Sequence, residues 1–235
     1  MSFYQVLTPY YDEIFPLNQQ AFSFLSTYFL KEQSILDIGA GTGSMAIALG
    51  EHGANVTAIE PEETMSEEIR LKAGLKGLSV AVSTLSMEQI DELRGTFDGM
   101  YCIGNTLAHL QTLNAVEKFL GNCYQNLQVN GRFIVQLVNY DKVLANDNFA
   151  FPDIIKENFT FTRKYKKDKD RILFKTIVKT KNELFENTVP LYPLTSEQLI
   201  NKLENAGFQK IDVYGNYKKD PFTIDSQALI TVAYK

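Results

Sequence analysis

The chain has few of the residues on which several common protein classes depend. Its 235 residues include only two cysteines, Cys102 and Cys123, and two histidines. Two cysteines are too few for a disulfide framework, so we interpret both as reduced core residues, with a reactive thiol as the alternative. Cysteine, histidine and acidic residues do not occur at metal-ligand spacing, which argues against a catalytic metal. A Gly-Lys-Ser or Gly-Lys-Thr loop is also lacking, which argues against an NTPase.

Basic residues and long apolar runs are scarce as well. The formal net charge is -5 and the pI is near 5.2, and the Lys-rich stretch at 164 to 170 also contains Asp168 and Asp170, so we expect no binding to nucleic acid. No apolar run approaches the roughly 20 residues that cross a bilayer. No Lys or Arg precedes Lys31, so the basic start of a secretory signal is lacking. We therefore expect a soluble, cytoplasmic protein that does not bind a membrane.

Short apolar runs alternate with helical patterns from Ser34 onward, which is typical of parallel strands joined by crossover helices. Apolar residues make up 45% of the chain, and its length suits one domain with an insertion. We therefore predict a single doubly wound, mostly parallel α/β domain over residues 1–235. Its first five strands are predicted at residues 34–38, 55–60, 78–82, 97–103 and 132–138.

The pattern changes after residue 138. Polar and apolar side chains alternate over residues 159–165 and 171–180, across a polar turn at 168 to 170. This alternation is typical of an antiparallel β-hairpin. We predict that residues 139–190 form a small inserted antiparallel β subdomain.

The doubly wound pattern resumes near the C-terminus. Thr195 and Gln198 fit a capping box at the start of a helix, and Gly207 ends that helix. Two final apolar runs, at 210–214 and 228–234, are close enough in sequence to pair. They are predicted to give the sheet an antiparallel edge.

The strongest signal for a ligand is ILDIGAGTG, residues 35 to 43, in which a buried strand meets Gly39, Gly41 and Gly43. Glycines at such a turn let the backbone approach a ligand, and the helix that begins near Ser44 favours a carboxylate at its N-terminus. A dinucleotide fingerprint would require glycine at the position of Ser44. Asp37 would repel a pyrophosphate but could accept a hydrogen bond from the ammonium of an amino acid. The loop therefore favours a methionine moiety over a diphosphate.

A second signal is Glu60, at the end of the second predicted strand. A carboxylate there can accept hydrogen bonds from both hydroxyls of a ribose. Glu60 alone does not separate NAD from an adenosyl cofactor. The alternative is an ordinary solvated carboxylate before Pro61 at a helix start.

Three segments together carry a family resemblance. ILDIGAGTG, VTAIEPEETM at 56 to 65 and FDGMYCIGNTLAHL at 97 to 110 resemble successive motifs of the class I S-adenosylmethionine-dependent methyltransferases. GNTLAHL and PLTSEQLINKLENAGF at 193 to 208 further resemble the small-molecule branch that includes glycine and sarcosine N-methyltransferases. The resemblance implies a seven-stranded sheet in the order 3-2-1-4-5-7-6, with ligands at the C-terminal edge of the parallel strands. It also implies S-adenosyl-L-methionine as cofactor and S-adenosyl-L-homocysteine as product.

The resemblance also implies roles for individual residues. Asp37 and the glycine loop match the methionine side, Glu60 matches the ribose ligand, Ile103 and Gly104 lie beneath the methionine, and Tyr11 belongs to a segment that closes over the cofactor. Relatives have an acidic residue at the adenine amino group where this chain has Ser86 and Met87, whose backbone could serve instead. The predicted cofactor-binding residues are Tyr11, Asp37, Gly39, Ala40, Gly41, Gly43, Glu60, Pro61, Met65, Ser86, Met87, Ile103 and Gly104.

Three residues are candidates for a catalytic role. His109 lies just past the fourth predicted strand, where an acceptor should bind, and either acts there or packs the following helix. The phenol of Tyr11 either hydrogen-bonds the cofactor carboxylate or faces the transferred methyl group, and the alternative is that Tyr11 packs on the sheet. Arg163, in the insertion, either binds a substrate carboxylate or is solvated.

We predict transfer of a methyl group from S-adenosylmethionine to nitrogen or oxygen of a small-molecule acceptor, by a monomer or homodimer without a metal. Two alternatives stay open at this point. Glu60 also suits an NAD-dependent oxidoreductase, although Gly43 and Ser44 oppose that interpretation. A non-catalytic module that binds S-adenosylmethionine would share the same motifs.

Overall fold

The computed structural model describes residues 3–146 and 151–235, and of Phe3 only the backbone. Eleven strands occur in the described ranges, in two sheets. They are β1 (Ser34–Ile38), β2 (Asn55–Ile59), β3 (Ala81–Ser83), β4 (Phe97–Cys102), β5 (Leu127–Val138), β6 (Ile154–Ile155), β7 (Phe159–Asp168), β8 (Arg171–Thr180), β9 (Leu184–Leu191), β10 (Lys210–Tyr214) and β11 (Ala228–Tyr234).

Eight α-helices occur in the described ranges. They are α1 (Phe3–Leu7), α2 (Tyr11–Ile14), α3 (Gln19–Ser26), α4 (Ser44–Glu51), α5 (Glu63–Leu75), α6 (Leu113–Asn126), α7 (Tyr140–Ala145) and α8 (Ser196–Ala206). Short 3₁₀ turns cover Thr8–Tyr10, Met87–Glu92 and Thr106–His109. None of the helices in the described ranges is long and apolar enough to cross a membrane.

The larger sheet has seven strands in the order β3-β2-β1-β4-β5-β11-β10. Counted along the chain, these seven strands have the predicted order 3-2-1-4-5-7-6. The pairs from β3 to β5 are parallel, whereas β11 is antiparallel to both β5 and β10. The prediction of a mostly parallel sheet with one antiparallel edge is confirmed.

The central strands are buried on both faces, which explains their continuous apolar sequences. Along β1, Ile35 faces a core cluster with α3 and α4, whereas Leu36 and Ile38 face the cluster that contains α6 and α8. Successive side chains of a strand point to opposite faces. A sheet with two covered faces leaves its strand ends open to ligands.

Helix ends follow the local sequence. The Thr195 hydroxyl accepts from the Gln198 backbone N–H, the Gln198 side chain accepts from the Thr195 N–H, and α8 ends at Gly207 with φ of 111°. This is the predicted capping box and glycine stop. The third strand differs from the prediction because the Leu78 N–H still bonds Ala73 O in the turn after α5, so β3 begins only at Ala81.

Strands β6 to β9 form a second, antiparallel sheet, which we call the covering sheet. Its hairpin closes at the predicted turn, where Asp168 pairs with Arg171. Phe159 and Phe161 pack against Leu7 of α1 and Ile14 of α2, while other residues of the sheet join the main core. The antiparallel insertion is present, and its assignment to residues 139–190 as a subdomain stays a prediction.

Candidate functional site

A cavity of about 700 Å³ lies between the C-terminal ends of the parallel strands, the N-terminal helices and the covering sheet. It therefore lies at the edge where ligands bind in open α/β folds. Eleven of the predicted site residues line it. They are Tyr11, Gly39, Gly41, Glu60, Pro61, Met65, Ser86, Met87, Gly104, His109 and Arg163.

The glycine loop joins β1 to α4 in a conformation that side chains would obstruct. Gly39 and Gly41 have φ of 72° and 58°, in the left-handed region. A Cβ atom at Gly41 would lie 2.8 Å from the Tyr11 hydroxyl oxygen, and one at Gly39 would clash with Thr106. Both glycines line the cavity, and the absence of a side chain at each lets the loop pack closely against Tyr11 and Thr106.

Glu60 is the first residue after β2 and lies beside the glycine loop. Its Oε2 accepts the Gly41 N–H at 2.8 Å, and its Oε1 accepts the Glu62 N–H at 3.1 Å. Burial raises the pKa of Glu60 to about 7, although the two backbone hydrogen bonds act in the opposite direction. Each carboxylate oxygen keeps a further lone pair for a ligand in the cavity.

Four predicted residues lie behind the cavity surface rather than on it. Asp37 is buried, Gly43 precedes α4, and Ala40 and Ile103 pack against the core cluster on the α3 and α4 face. The Ala40 N–H bonds Ile59 O at 3.1 Å, which holds the loop against β2. Ala40, Gly43 and Ile103 therefore shape the loop and floor, and Asp37 supports the loop from below.

The N-terminal segment closes one side of the cavity. Tyr4 and Tyr11 line it, and Asp12 accepts hydrogen bonds from Thr42 of the glycine loop and from Lys72 of α5. These contacts fix α2 over the loop. Burial, together with the charge of Glu60, raises the pKa of Tyr11 far above its ordinary value, so its phenol stays protonated.

Comparison with known proteins shows that this chain is similar to methyltransferases. The family described as "Methyltransferase domain" matches residues 35–131. The glycine/sarcosine/dimethylglycine N-methyltransferase of Actinopolyspora halophila is 26% identical over 80% of this chain and 33% of that protein. The glycine/sarcosine N-methyltransferase of Halorhodospira halochloris is 26% identical over 86% of this chain and 75% of that protein. The chain thus spans a third of the length of the first relative and three quarters of the second.

One solved structure is similar to this chain over almost the whole fold. The S-adenosylmethionine-dependent methyltransferase of Clostridium acetobutylicum has a TM-score of 0.83 at 14% identity and covers 99% of both chains. Residues 35–131 thus match a methyltransferase domain, and the chain has the fold of the class I S-adenosylmethionine-dependent methyltransferases. The matches favour this family over the NAD-dependent oxidoreductase that the sequence left open.

The residues around the cavity fit S-adenosylmethionine. Oδ2 of Asp37 is buried and has no hydrogen-bond partner, and neither does the nearby Tyr101 hydroxyl. Burial raises the pKa of Asp37 to about 7, and the charge of Glu60 raises it as well. A buried, unpaired carboxylate is costly unless a cationic donor reaches it. The ammonium of the cofactor is such a donor, while Glu60 would hold the ribose.

One side of the cavity, where we predict the adenine, has several apolar lining residues. Pro61, Met65 and Leu85 line it together with Ser86 and Met87. Ser86 caps the 3₁₀ turn that follows, because its N–H bonds Oε1 of Gln89 at 3.1 Å. The Ser86 N–H is therefore already used, which leaves the Met87 side of the turn as the stronger candidate for the adenine contact.

His109 and Arg163, two of the predicted catalytic residues, also line the cavity. Burial lowers the pKa of His109 below its ordinary 6.5, so the ring is neutral at neutral pH. Arg163 lies on β7 and reaches the cavity half-buried rather than fully solvated. The described residues hold no group of three His, Cys, Asp or Glu side chains that could bind a metal.

Several lining residues were not found from the sequence. Gln136 of β5 accepts the Gly104 N–H at 2.8 Å, and Asn105, with φ of 69°, donates to the Tyr140 hydroxyl at 2.9 Å. Asn105 belongs to the GNTLAHL motif, but only Gly104 and His109 of that motif were predicted to be site residues. Thr176 and Asn187 line the cavity from the covering sheet, and no local motif marks them.

Proposed function

We propose that the protein transfers the methyl group of S-adenosylmethionine to a nitrogen or oxygen atom of a small-molecule acceptor. The continuity of the cavity carries this proposal. One wall holds the glycine loop and Glu60, and the opposite wall is the covering sheet with Arg163. The first wall would hold the cofactor and the second the acceptor.

Alignment is the main task of this chain in such a reaction. When bound, S-adenosylmethionine supplies a methyl group on a sulfonium, which passes to the acceptor lone pair and leaves S-adenosylhomocysteine. The walls fix the acceptor and exclude water, and orientation of this kind can supply up to about 7–11 kcal/mol. His109, neutral at the acceptor side, accepts the proton that the acceptor loses. Tyr11, held protonated above Gly41, orients the reactants as a hydrogen-bond donor.

Labelling identifies the acceptor without a prior guess. Purified protein is incubated with methyl-labelled S-adenosylmethionine and a cell metabolite extract, and the labelled product is identified by mass spectrometry. We expect one labelled small molecule, whose formation excess S-adenosylhomocysteine inhibits. Cofactor binding without any labelled product would support the non-catalytic module instead. Tight binding of NAD without binding of S-adenosylmethionine would overturn the proposal.

A further inference from the structure

The covering sheet carries one row of polar side chains on the face that lines the cavity. Arg163 of β7 pairs with Thr176 of β8, which pairs with Asn187 of β9. All three line the cavity, and we call them the polar row. The rows two residues away on either side are apolar or aromatic. They are Tyr165, Phe174 and Val189 on one side, and Phe161, Val178 and Phe185 on the other.

The guanidinium of Arg163 is held in place but not neutralised. Its Nε is buried without a hydrogen-bond partner. The ion pairs found among the described residues join other side chains. The rings of Phe151 and Phe161 lie 4.8 and 5.9 Å from its central carbon and restrict its position. A partly desolvated cation of this kind is stabilised by an anion that reaches the rest of the guanidinium.

The charge distribution of the cavity limits that anion to a single charge. Among the described lining residues Arg163 is the only Lys or Arg, whereas Glu60, Glu62 and Glu88 line the side of the main sheet. A doubly charged phosphate would face one cation and three carboxyl groups. A carboxylate matches the planar fork of one guanidinium, and Thr176 and Asn187 can add neutral donors.

We propose that the polar row binds the carboxylate of the methyl acceptor, and that the acceptor is an aromatic or similarly apolar monocarboxylate. The flanking rows would contact its carbon body, since they present three aromatic rings to the cavity, those of Phe161, Tyr165 and Phe174. The accepting nitrogen or oxygen would then lie away from the covering sheet, toward His109. This inference deepens the proposed function and rests on it.

Binding of shape-matched probes tests the polar row without any turnover. Benzoate, benzamide, glycine and inorganic phosphate are titrated into the protein saturated with S-adenosylhomocysteine, by ligand-observed NMR. We expect benzoate to bind about tenfold or more tightly than benzamide, glycine or phosphate, because the charge-assisted fork is lost in benzamide and the ring contacts in glycine.

Variants locate the binding. Arg163→Met keeps the apolar stem and should reduce benzoate binding to the level of benzamide, while Arg163→Lys should be intermediate because it lacks the fork. Lys164→Met is the matched control, since Lys164 is the exposed next residue of β7 and points to the other face. Thr176→Val should weaken benzoate less than Arg163→Met does. Titration of S-adenosylhomocysteine alone should be unchanged in every variant.

The outcomes separate this inference from the proposed function. If the wild-type protein binds benzoate no more tightly than benzamide, the polar row does not bind a carboxylate. Unchanged benzoate binding in Arg163→Met would overturn the inference in the same way. Tighter binding of phosphate would overturn the assignment to a monocarboxylate. The protein could bind benzoate as expected and yet label no metabolite in the extract. That result would contradict methyl transfer but would still support the anion site.

Discussion

The backbone N–H of Gly41 donates a hydrogen bond of 2.8 Å to Oε2 of Glu60. This bond ties the glycine loop after β1 to the end of the neighbouring strand β2. The two elements that bind the methionine and ribose parts of the cofactor in our proposal are therefore directly joined. A substitution at Gly41 or Glu60 should therefore alter both the conformation of the glycine loop and the position of the Glu60 carboxylate.

Glu60→Ala should weaken binding of S-adenosylhomocysteine by roughly 1.5–3 kcal/mol, about tenfold to over a hundredfold, because ribose hydroxyls lose a charged acceptor. The fold should survive with a modest fall in Tm, since the Gly41 and Glu62 N–H groups lose their acceptor. Isothermal titration calorimetry measures the affinity. Glu63→Ala is the control, because Glu63 is exposed and forms a surface ion pair with Arg70. Unchanged affinity in folded Glu60→Ala would remove Glu60 from the site.

Gly41→Ala should weaken the same binding by more than tenfold. The new Cβ would lie 2.8 Å from the Tyr11 hydroxyl oxygen, at a φ of 58° that strains alanine. Gly74→Ala is a matched control within α5, where a Cβ would meet nothing within 4 Å. That control should raise stability by about 0.4–1 kcal/mol and leave binding unchanged. Normal cofactor affinity in Gly41→Ala would show that the loop backbone does not approach the ligand.

Asp37→Asn should stabilise the cofactor-free protein at pH 8 and weaken cofactor binding. The pKa of Asp37 is raised from 3.8 to about 7 in the folded state, so the unfolded chain binds fewer protons between these values. The contribution of Asp37 to the stability of the wild type therefore falls as pH rises from 3.8 to about 7 and stays low above that value. The shift corresponds to at most about 4 kcal/mol. Thermal melts of both proteins at pH 5 and pH 8 measure the difference.

Cofactor binding gives the matching test of Asp37. Ionised Asp37 is required to meet the ammonium, so affinity should increase as pH rises toward 7, with release of a proton on binding below that value. Calorimetry in buffers of different ionisation enthalpy measures this proton. A pH-independent affinity equal to that of Asp37→Asn would contradict the role.

His109→Gln should lower kcat by about 10²–10⁴ if the imidazole accepts a proton from the acceptor. In the wild type, kcat/KM should fall only on acidification below 6.5, the ordinary pKa, because burial lowers the pKa of His109. This acidic limb should be lost in the variant. The profile is measured with the acceptor that labelling identifies, and His52→Gln, at the distant end of α4, is the control. A lowered Tm with normal kcat would assign His109 to packing.

Local sequence determined the elements of this protein and the order in which they occur. The strand patterns, the capping box at Thr195 and the glycine stop at Gly207 act through neighbours in the chain, so they can be read without a structure. The glycine loop and Glu60 were predicted in the same way, since each stands at the end of an apolar run. The strand β3 was placed too early because a helix-terminal hydrogen bond at Leu78 is not visible in composition.

Tertiary structure alone decided which of these residues meet and what burial does to them. The polar row of Arg163, Thr176 and Asn187 depends on the register of three strands, which turn geometry and packing set together. The raised pKa of Asp37 and the unpaired Nε of Arg163 depend on desolvation by residues distant in sequence. Desolvation depends on how distant residues pack around a side chain, so it cannot be predicted from a local pattern in the sequence.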